Sequence, residues 1–162
     1  MSGGEAPIGV ISDTHGLLRD EALAAMQGCR SIVHAGDIGG PEILDRLGEI
    51  APVTAIRGNV DTAPWCAELP ETAVVDVSGH LLYLIHNLNE LDLDLATAGF
   101  EGVIFGHTHR PHLEVIDGLF HLNPGSAGPR RFDLPCALAL LRVDNGVLSA
   151  ERIDLDLPKP RS

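Results

Sequence analysis

The sequence predicts an α/β fold of the α+β kind: two packed β-sheets with helices on their outer faces. Three observations predict it. Between residues 8 and 57 short apolar runs alternate with amphipathic stretches in a β-α-β-α-β rhythm, which favours parallel strands joined by right-handed crossovers. After residue 70 the rhythm changes to pairs of strand-like runs joined by two-residue, glycine-containing turns, the signature of hairpins. Finally, five apolar runs each end at Asp, Asn or His. Short apolar runs bounded in this way read as buried strands.

Taken in order, Ile8–Ser12 is the first strand and Asp13-Thr14-His15-Gly16 the loop that follows it. Arg19–Gln27 is a short helix, with Leu18, Ala22, Ala25 and Met26 along one face and Gly28 placed to end it. Ser31–Ala35 is the second strand. Pro41 suits the first position of a second helix over 41–48. Val53–Arg57 is the third strand, followed by Gly58-Asn59-Val60-Asp61 and a loop with Pro64 and Pro70. Thr72–Val77 and His80–Ile85 form a hairpin about Ser78-Gly79, and residues 88–98 read as a third helix with Asn87 or Asn89 as its cap. Gly102–Phe105 is a strand that feeds His107 and His109. Two more hairpins follow, His112–Ile116 with Leu119–Leu122 and Cys136–Val143 with Val147–Ile153, turning at Asp117-Gly118 and Asn145-Gly146. The chain reads as one domain, residues 1–162, with its core at 8–153 and short flexible ends.

Composition bounds the function. A chain of 162 residues with 44 % apolar and 21 % charged residues has the ordinary make-up of a soluble domain with a substantial core. Aromatics are only 4 %, so Leu, Ile, Val and Ala must fill that core. The net charge of −12 and the lack of a basic run argue against binding long nucleic acid. Phosphate chemistry survives that objection, because divalent metals invert the local field. Cys29, Cys66 and Cys136 are an odd, unclustered set, which suggests a reducing compartment and no disulfide framework. With no signal-like start and no apolar run of membrane-spanning length, the expectation is a cytoplasmic protein that binds no membrane.

The groups at the strand ends are Asp13, His15, Asp37, Asn59, His86, His107 and His109. Residues at i and i+2 point apart on a helix but share a side in extended chain. The Asp13/His15 and His107/His109 pairs therefore converge only from loops or strand ends, and strand C-terminal ends are where open α/β sheets build their ligand crevice. Seven mixed nitrogen and oxygen ligands are too many for one tetrahedral zinc. They suit two divalent ions sharing a carboxylate, and the donor types suit Mn, Fe, Zn or Ni better than Ca or Mg.

In chain order the motifs read Asp13-Thr-His15, Gly36-Asp37, Gly58-Asn59-Val60-Asp61, a lone His86 after a strand, Gly106-His-Thr-His109, and Asn123-Pro-Gly-Ser126. This series resembles the calcineurin-like metallophosphoesterase superfamily, in particular its small single-domain phosphodiesterase branch of bacteria and archaea. The likeness runs from residue 8 to about residue 153. It implies a four-layer α-β-β-α sandwich of two mixed β-sheets flanked by helices. It implies one metal held by Asp13, His15, Asp37 and His109, and a second held by Asp37, Asn59, His86 and His107. Asp37 would bridge the two, and a hydroxide bridging the pair would attack phosphorus in line. The implied activity is hydrolysis of a small phosphodiester with two divalent ions, Mn foremost and Fe, Zn or Ni as alternatives. Relatives of this size are often dimers or tetramers, so a homo-oligomer is expected.

The chain departs from the pattern at three places. Many superfamily members read Gly-Asn-His at the third motif, where that histidine protonates the leaving group. Here the position is Val60, as in the small branch, which favours activated leaving groups or protonation by water. Asn87 follows His86 where the branch has glycine, and Gly36-Asp37-Ile-Gly-Gly40 lacks the second aspartate of the longer motif. Two further residues stand near the ligands. His34 is read as a strand residue or a support behind Asp37, with a substitute acid as the alternative. Asp61 is read as a group orienting a ligand histidine, or as a plain turn residue. Arg57, Arg110, Arg130 and Arg131 are weighed as surface residues against phosphate contacts, and Trp65 as a core residue against one that lines the site or a subunit contact. His80, His112 and His121 receive no function. The rival functions are a protein-binding scaffold on the same fold, like the retromer subunit that resembles this family, and a phosphomonoesterase or cyclic-nucleotide phosphodiesterase. Specificity would then sit in loops 62–70 and 123–134.

Overall fold

The computed structural model describes residues 6–130 and 134–155. Among these described residues ten strands lie in two five-stranded mixed sheets. Strands β1 (Ile8–Ile11), β2 (Ser31–His34) and β3 (Val53–Ala55) run parallel, and β9 (Ala137–Asp144) and β10 (Val147–Asp154) extend this sheet in the order β10-β9-β1-β2-β3. The second sheet has the order β4-β5-β6-β8-β7, from β4 (Thr72–Val77), β5 (His80–Ile85), β6 (Gly102–Ile104), β7 (His112–Ile116) and β8 (Leu119–Asn123). In it β5, β6 and β8 are parallel, with an antiparallel partner at each edge.

Alternation along the strands sorts the apolar side chains into layers. Val10, Val33, Leu82, Leu84, Ile104 and Leu141 face inward and form the core between the sheets. Ile11, Ile32, Leu138 and Leu140 face outward on the first sheet and are covered by Ala22 and Met26 of the α1 region (helix Asp20–Ala25) and by Ile43 and Leu47 of α2 (Pro41–Gly48). Burying each such Leu or Ile is worth roughly 1.5–3 kcal/mol relative to exposure. Helix α2 begins at Pro41 and carries Glu42 in its first turn and Arg46 in its last, which suits the helix dipole.

On the outer face of the second sheet lie Ile85, Val103 and Phe105, covered by Leu88, Leu91, Leu95 and Phe100. The cover is not the helix expected over 88–98. Only a 3₁₀ turn forms, Leu88–Glu90, and Leu91 is already extended. The physical reason is local competition for backbone hydrogen bonds. Asn87 Oδ1 accepts from Asn89 N at 3.0 Å, and Asp94 Oδ1 accepts from Thr97 N at 3.3 Å. Each side chain closes its own turn, and the leucines still reach the sheet. The fourth layer is thus irregular chain, and the molecule is an α/β sandwich whose regular helices cover one sheet.

Smaller differences lie at the ends. The third strand leaves the sheet before Arg57, and Cys136 makes an isolated bridge to Ser126 instead of starting the hairpin. Asp154, expected to begin a frayed tail, pairs with Ala137, and Leu155 is buried. The expected loose start, the proline tail from 156 onward and Arg131 lie outside the described residues. All three cysteines are free and buried. Strand β7 is an exposed edge on which Leu113, Val115 and Ile116 meet solvent. Among the described residues no helix is long and apolar enough to cross a membrane.

Candidate metal centre

Parallel pairing points the C-terminal ends of β1, β2 and β3 the same way, and likewise those of β5 and β6. The loops leaving those ends are stitched to one another by backbone hydrogen bonds. Asp13 N donates to Gly36 O at 3.0 Å, His15 N to Asp37 O at 2.9 Å, and Gly106 N to His86 O at 2.9 Å. Glycine is required where the loops cross. A Cβ on Gly58 would lie 2.2 Å from Asp37 Oδ1, and one on Gly106 would lie 2.2 Å from Ser12 Oγ.

These loops bring six of the seven strand-end residues into two groups, Asp13/His15/His109 and Asp37/His86/His107, each with its ligand atoms within 4.8 Å of one another. The groups adjoin. His15 Nε2 is 3.7 Å from both Asp13 Oδ1 and Asp37 Oδ2. His86 Nε2 is 3.1 Å from Asp37 Oδ2 and 3.9 Å from Asp13 Oδ1. His109 Nε2 lies 3.4 Å from Asp13 Oδ1 and 3.2 Å from His15 Nε2. The seventh residue, Asn59, is exposed at the rim between Gly58 and Val60.

The electrostatics are those of a cation site. Asp13 is fully buried, which by itself would raise its carboxyl. Contacts with His109, His15 and Ser12 outweigh the burial and hold it far below the usual carboxylate range. Burial likewise opposes ionisation of Asp37, but His86 and the Val60 N–H hold it low. His86 is pushed down by burial and, more strongly, up by Asp37 and Asp13. Its Nδ1 lies 2.7 Å from Ala35 O, so Nδ1 carries the proton and Nε2 faces the carboxylates. Asp13 Oδ1, His86 Nε2 and His109 Nδ1 are buried without a hydrogen-bond partner. Of these, Asp13 Oδ1 and His86 Nε2 face the carboxylate-and-imidazole nest and are what a divalent ion would satisfy, so the donor set fits the metals that the motif order implies.

Asp61 is buried, as a supporting role requires, but it touches no ligand histidine. Its carboxylate accepts from the backbone N–H groups of Ile38 (3.0 Å), Gly39 (3.2 Å) and Gly58 (2.9 Å), and so clamps the loop carrying Asp37 to the loop carrying Asn59. His34 is wholly buried. Its Nδ1 accepts from Gly36 N at 3.1 Å, so Nε2 carries the proton and donates to Thr14 Oγ1 at 3.0 Å; that hydroxyl in turn donates to Ile38 O at 2.7 Å. Both ring nitrogens are occupied inside the fold, which leaves none to meet a substrate.

Three supports escape sequence reasoning or are only half seen by it. Ser12 Oγ donates to Asp13 Oδ2 at 2.6 Å, and nothing in a strand-end serine announces that. Asn123 Nδ2 donates to Gly106 O and Thr108 Oγ1, both at 3.1 Å, and Ser126 Oγ donates to Asp13 O at 3.0 Å. The Asn123-Pro-Gly-Ser126 segment was the signal for these last two. Arg57 pairs with Glu71 at 3.4 Å, Arg110 and Arg130 are exposed, and Trp65 packs on the helix-side core. His80, His112 and His121 make local contacts to Glu101, Glu114 and Leu119 O.

Comparison with known proteins agrees with the geometry. Residues 7–146 match the calcineurin-like phosphoesterase superfamily domain. A probable metallophosphoesterase of Methanothermobacter thermautotrophicus is 34 % identical over 96 % of both chains. The phosphodiesterase YfcE of Escherichia coli K12 is 32 % identical over 85 % of this chain and 87 % of its own. Vacuolar protein sorting 29 of Cryptosporidium parvum superposes with a TM-score of 0.75 at 18 % identity, over 94 % of this chain and 98 % of that one, a likeness of fold. The chain belongs to the calcineurin-like phosphoesterase superfamily and is a metal-dependent phosphoric ester hydrolase.

Proposed function

We propose that the chain is a dinuclear phosphodiesterase acting on a small phosphodiester. The observation that supports this best is the pair of adjoining ligand groups, with Asp37 Oδ2 within 3.7 Å of His15 Nε2 and 3.1 Å of His86 Nε2. On this reading Asp13, His15, Asp37 and His109 hold one divalent ion, and Asp37, Asn59, His86 and His107 hold the other. Two ions there, Mn foremost, supply an acidified water and neutralise charge on the phosphoryl oxygens.

The chain's own residues account for the rest. The low-lying carboxyls of Asp13 and Asp37 keep both groups ionised at neutral pH. The Ala35 carbonyl fixes the His86 tautomer, and Ser12 and the His107 N–H hold Asp13 Oδ2 in place, at 2.6 and 3.2 Å. Position 60 is Val60, exposed beside Asn59, so no side chain there protonates a departing alcohol. Diesters with good leaving groups should therefore be the better substrates.

The test is elemental analysis of purified protein together with hydrolysis of bis(p-nitrophenyl) phosphate by metal-stripped protein given Mn, Fe, Ni, Zn or Mg. About two ions per chain are expected, with turnover that falls on the order of a thousandfold in Asp37→Ala and His107→Ala. Failure of every metal to restore turnover would overturn the reading. A non-catalytic scaffold is the second reading, supported by the likeness to vacuolar protein sorting 29 and by the exposed apolar edge of β7. One stoichiometric protein partner without turnover under any metal would favour it.

A further inference from the structure

A cleft of about 630 Å³ opens from the candidate metal centre at Asn59 and His86 and runs away from it over β5. Its volume is in the range of small-molecule sites, far larger than a phosphate group needs. His86 joins it to the centre: it lines the cleft, and its buried Nε2 lies 3.1 Å from Asp37 Oδ2.

Resting on the phosphodiesterase reading, we propose that this cleft binds the alcohol retained on phosphorus and that it selects a cationic one, an amino alcohol. Among the described residues the walls carry Glu71, Glu90 and Asp92 against one cation, Arg57, which meets Glu71 at 3.4 Å through Nη2 while its buried Nε has no hydrogen-bond partner, so the carboxylates outnumber the guanidinium three to one. Asp61 also borders the cleft, but backbone N–H groups satisfy its carboxylate. Glu90 and Asp92 are exposed, and among the described residues they have no ion-pair partner. Tyr83 lines the same cleft, partly exposed, its ring edge-on to Phe100 at a centroid distance of 5.3 Å. Carboxylates beside a partly exposed aromatic ring attract an ammonium group by charge and by the ring quadrupole. The same walls repel a retained group bearing a second phosphate or a carboxylate.

The experiment holds the leaving group and the shape constant and changes only the charge. The probes are p-nitrophenyl phosphocholine and its carbon isostere, p-nitrophenyl 3,3-dimethylbutyl phosphate, given to Mn-loaded protein. In both, water adds to phosphorus and the bond to the nitrophenyl oxygen breaks. The products are p-nitrophenol and the phosphomonoester of the retained alcohol. The choline ester should show roughly tenfold higher kcat/KM at low salt, about what two exposed ion pairs supply, shrinking toward parity at high salt. Glu90→Gln with Asp92→Asn should remove the preference and leave bis(p-nitrophenyl) phosphate turnover within about twofold, because neither residue is a candidate metal ligand. Equal turnover of the two esters, or a preference untouched by the double variant, overturns the proposal while the phosphodiesterase reading stands. Turnover of no diester under any metal overturns both.

Discussion

Non-glycine residues adopt left-handed backbone at two ends of this molecule. In the hairpin turns they are Ser78 (φ 51°), Asp117 (φ 51°) and Asn145 (φ 53°), each followed by a glycine that is also left-handed. At the candidate metal centre they are Asp13 (φ 56°), His15 (φ 47°), Asp37 (φ 58°), His107 (φ 73°) and His109 (φ 63°). The angles are alike and the causes differ. In a two-residue hairpin, left-handed geometry at both positions matches the twist of the strands, and small polar residues with glycine adopt it locally. Nothing local asks histidine to do so. There the surrounding loops impose the conformation, at a cost on the order of 1 kcal/mol per residue, and five such residues crowd round the same few ångströms. One end of the molecule relaxes into its turns; the other is held in them by its supports.

If the centre is held by its supports, removing one should cost more than any hairpin change. Asp61 is the strongest test, since its buried carboxylate joins the loops that carry the candidate ligands Asp37 and Asn59 through backbone N–H groups. Asp61→Ala should lose about 4 kcal/mol in denaturant unfolding, as several charge-assisted bonds go and their donors stay buried. Asp61→Asn should lose about half of that, because an amide oxygen still accepts. Metal-dependent turnover should fall in the same order. Asp61→Ala unfolding at the wild-type midpoint would show that the loops hold themselves.

His34 sharpens the same point through pH. Burial pushes it down to about 4 from an ordinary value of 6.5. Above pH 6.5 it is neutral in both the folded and unfolded states and adds no pH dependence. Between about 6.5 and 4 the unfolded chain binds the proton and the folded chain does not. Stability is therefore lost as pH falls through that window, by about 3 kcal/mol in total. Metal-stripped wild type should show this slope, and His34→Gln should flatten it while being less stable at neutral pH, since Gly36 N and Thr14 Oγ1 lose their ring partner. An unchanged slope in the variant would assign the acid sensitivity to the carboxylates.

What could be read from the sequence divides along the same line. Strands and hairpin turns depend on neighbours in sequence, so apolar runs and the Asp117-Gly118 and Asn145-Gly146 pairs located them within a residue or two. The convergence at the centre was legible because parallel strands deliver their ends to one side, and six of the expected residues meet there. The third helix failed because Leu88, Leu91 and Leu95 are spaced as a helix would space them, while Asn87 and Asp94 close turns that no periodicity records. Asp61 reads in the sequence as orienting a histidine or as a plain turn residue, because the loop it grips, at Ile38 and Gly39, lies 23 and 22 residues away and is close only in the fold. The left-handed histidines were illegible for the same reason, since their angles belong to the packed loops.

Glycine reads the two ends in matched fashion. Gly106 and Gly146 are both turn-side glycines, but only Gly146 is left-handed (φ 78°), with nothing within 4 Å of an added Cβ. Gly146→Ala should cost about 1 kcal/mol of backbone strain and leave turnover unchanged. Gly106→Ala meets Ser12 Oγ at 2.2 Å and Asp13 Oδ2 at 2.7 Å. It should cost about 2 kcal/mol or more and displace a candidate ligand, so turnover falls with stability. Equal and purely thermodynamic losses would mean that the Asp13 loop yields as freely as a hairpin.

The finest test compares alanine with glycine at His15 and Asn145 in metal-stripped protein. Both positions are left-handed, so glycine should exceed alanine by about 1 kcal/mol at each. That shared difference measures the backbone alone. The native residues should separate the two ends. Asn145 should sit within a few tenths of its glycine variant, because asparagine is at home in such a turn. His15 should fall below its glycine variant, since histidine, unlike asparagine, has no local turn preference that suits it to a left-handed backbone (φ 47°). Adding Mn should reverse that order at His15 and leave Asn145 untouched, because only the native histidine gains from the ion. A His15→Gly protein that metal stabilises as much as wild type would mean that the strained backbone at His15 serves something other than the metal.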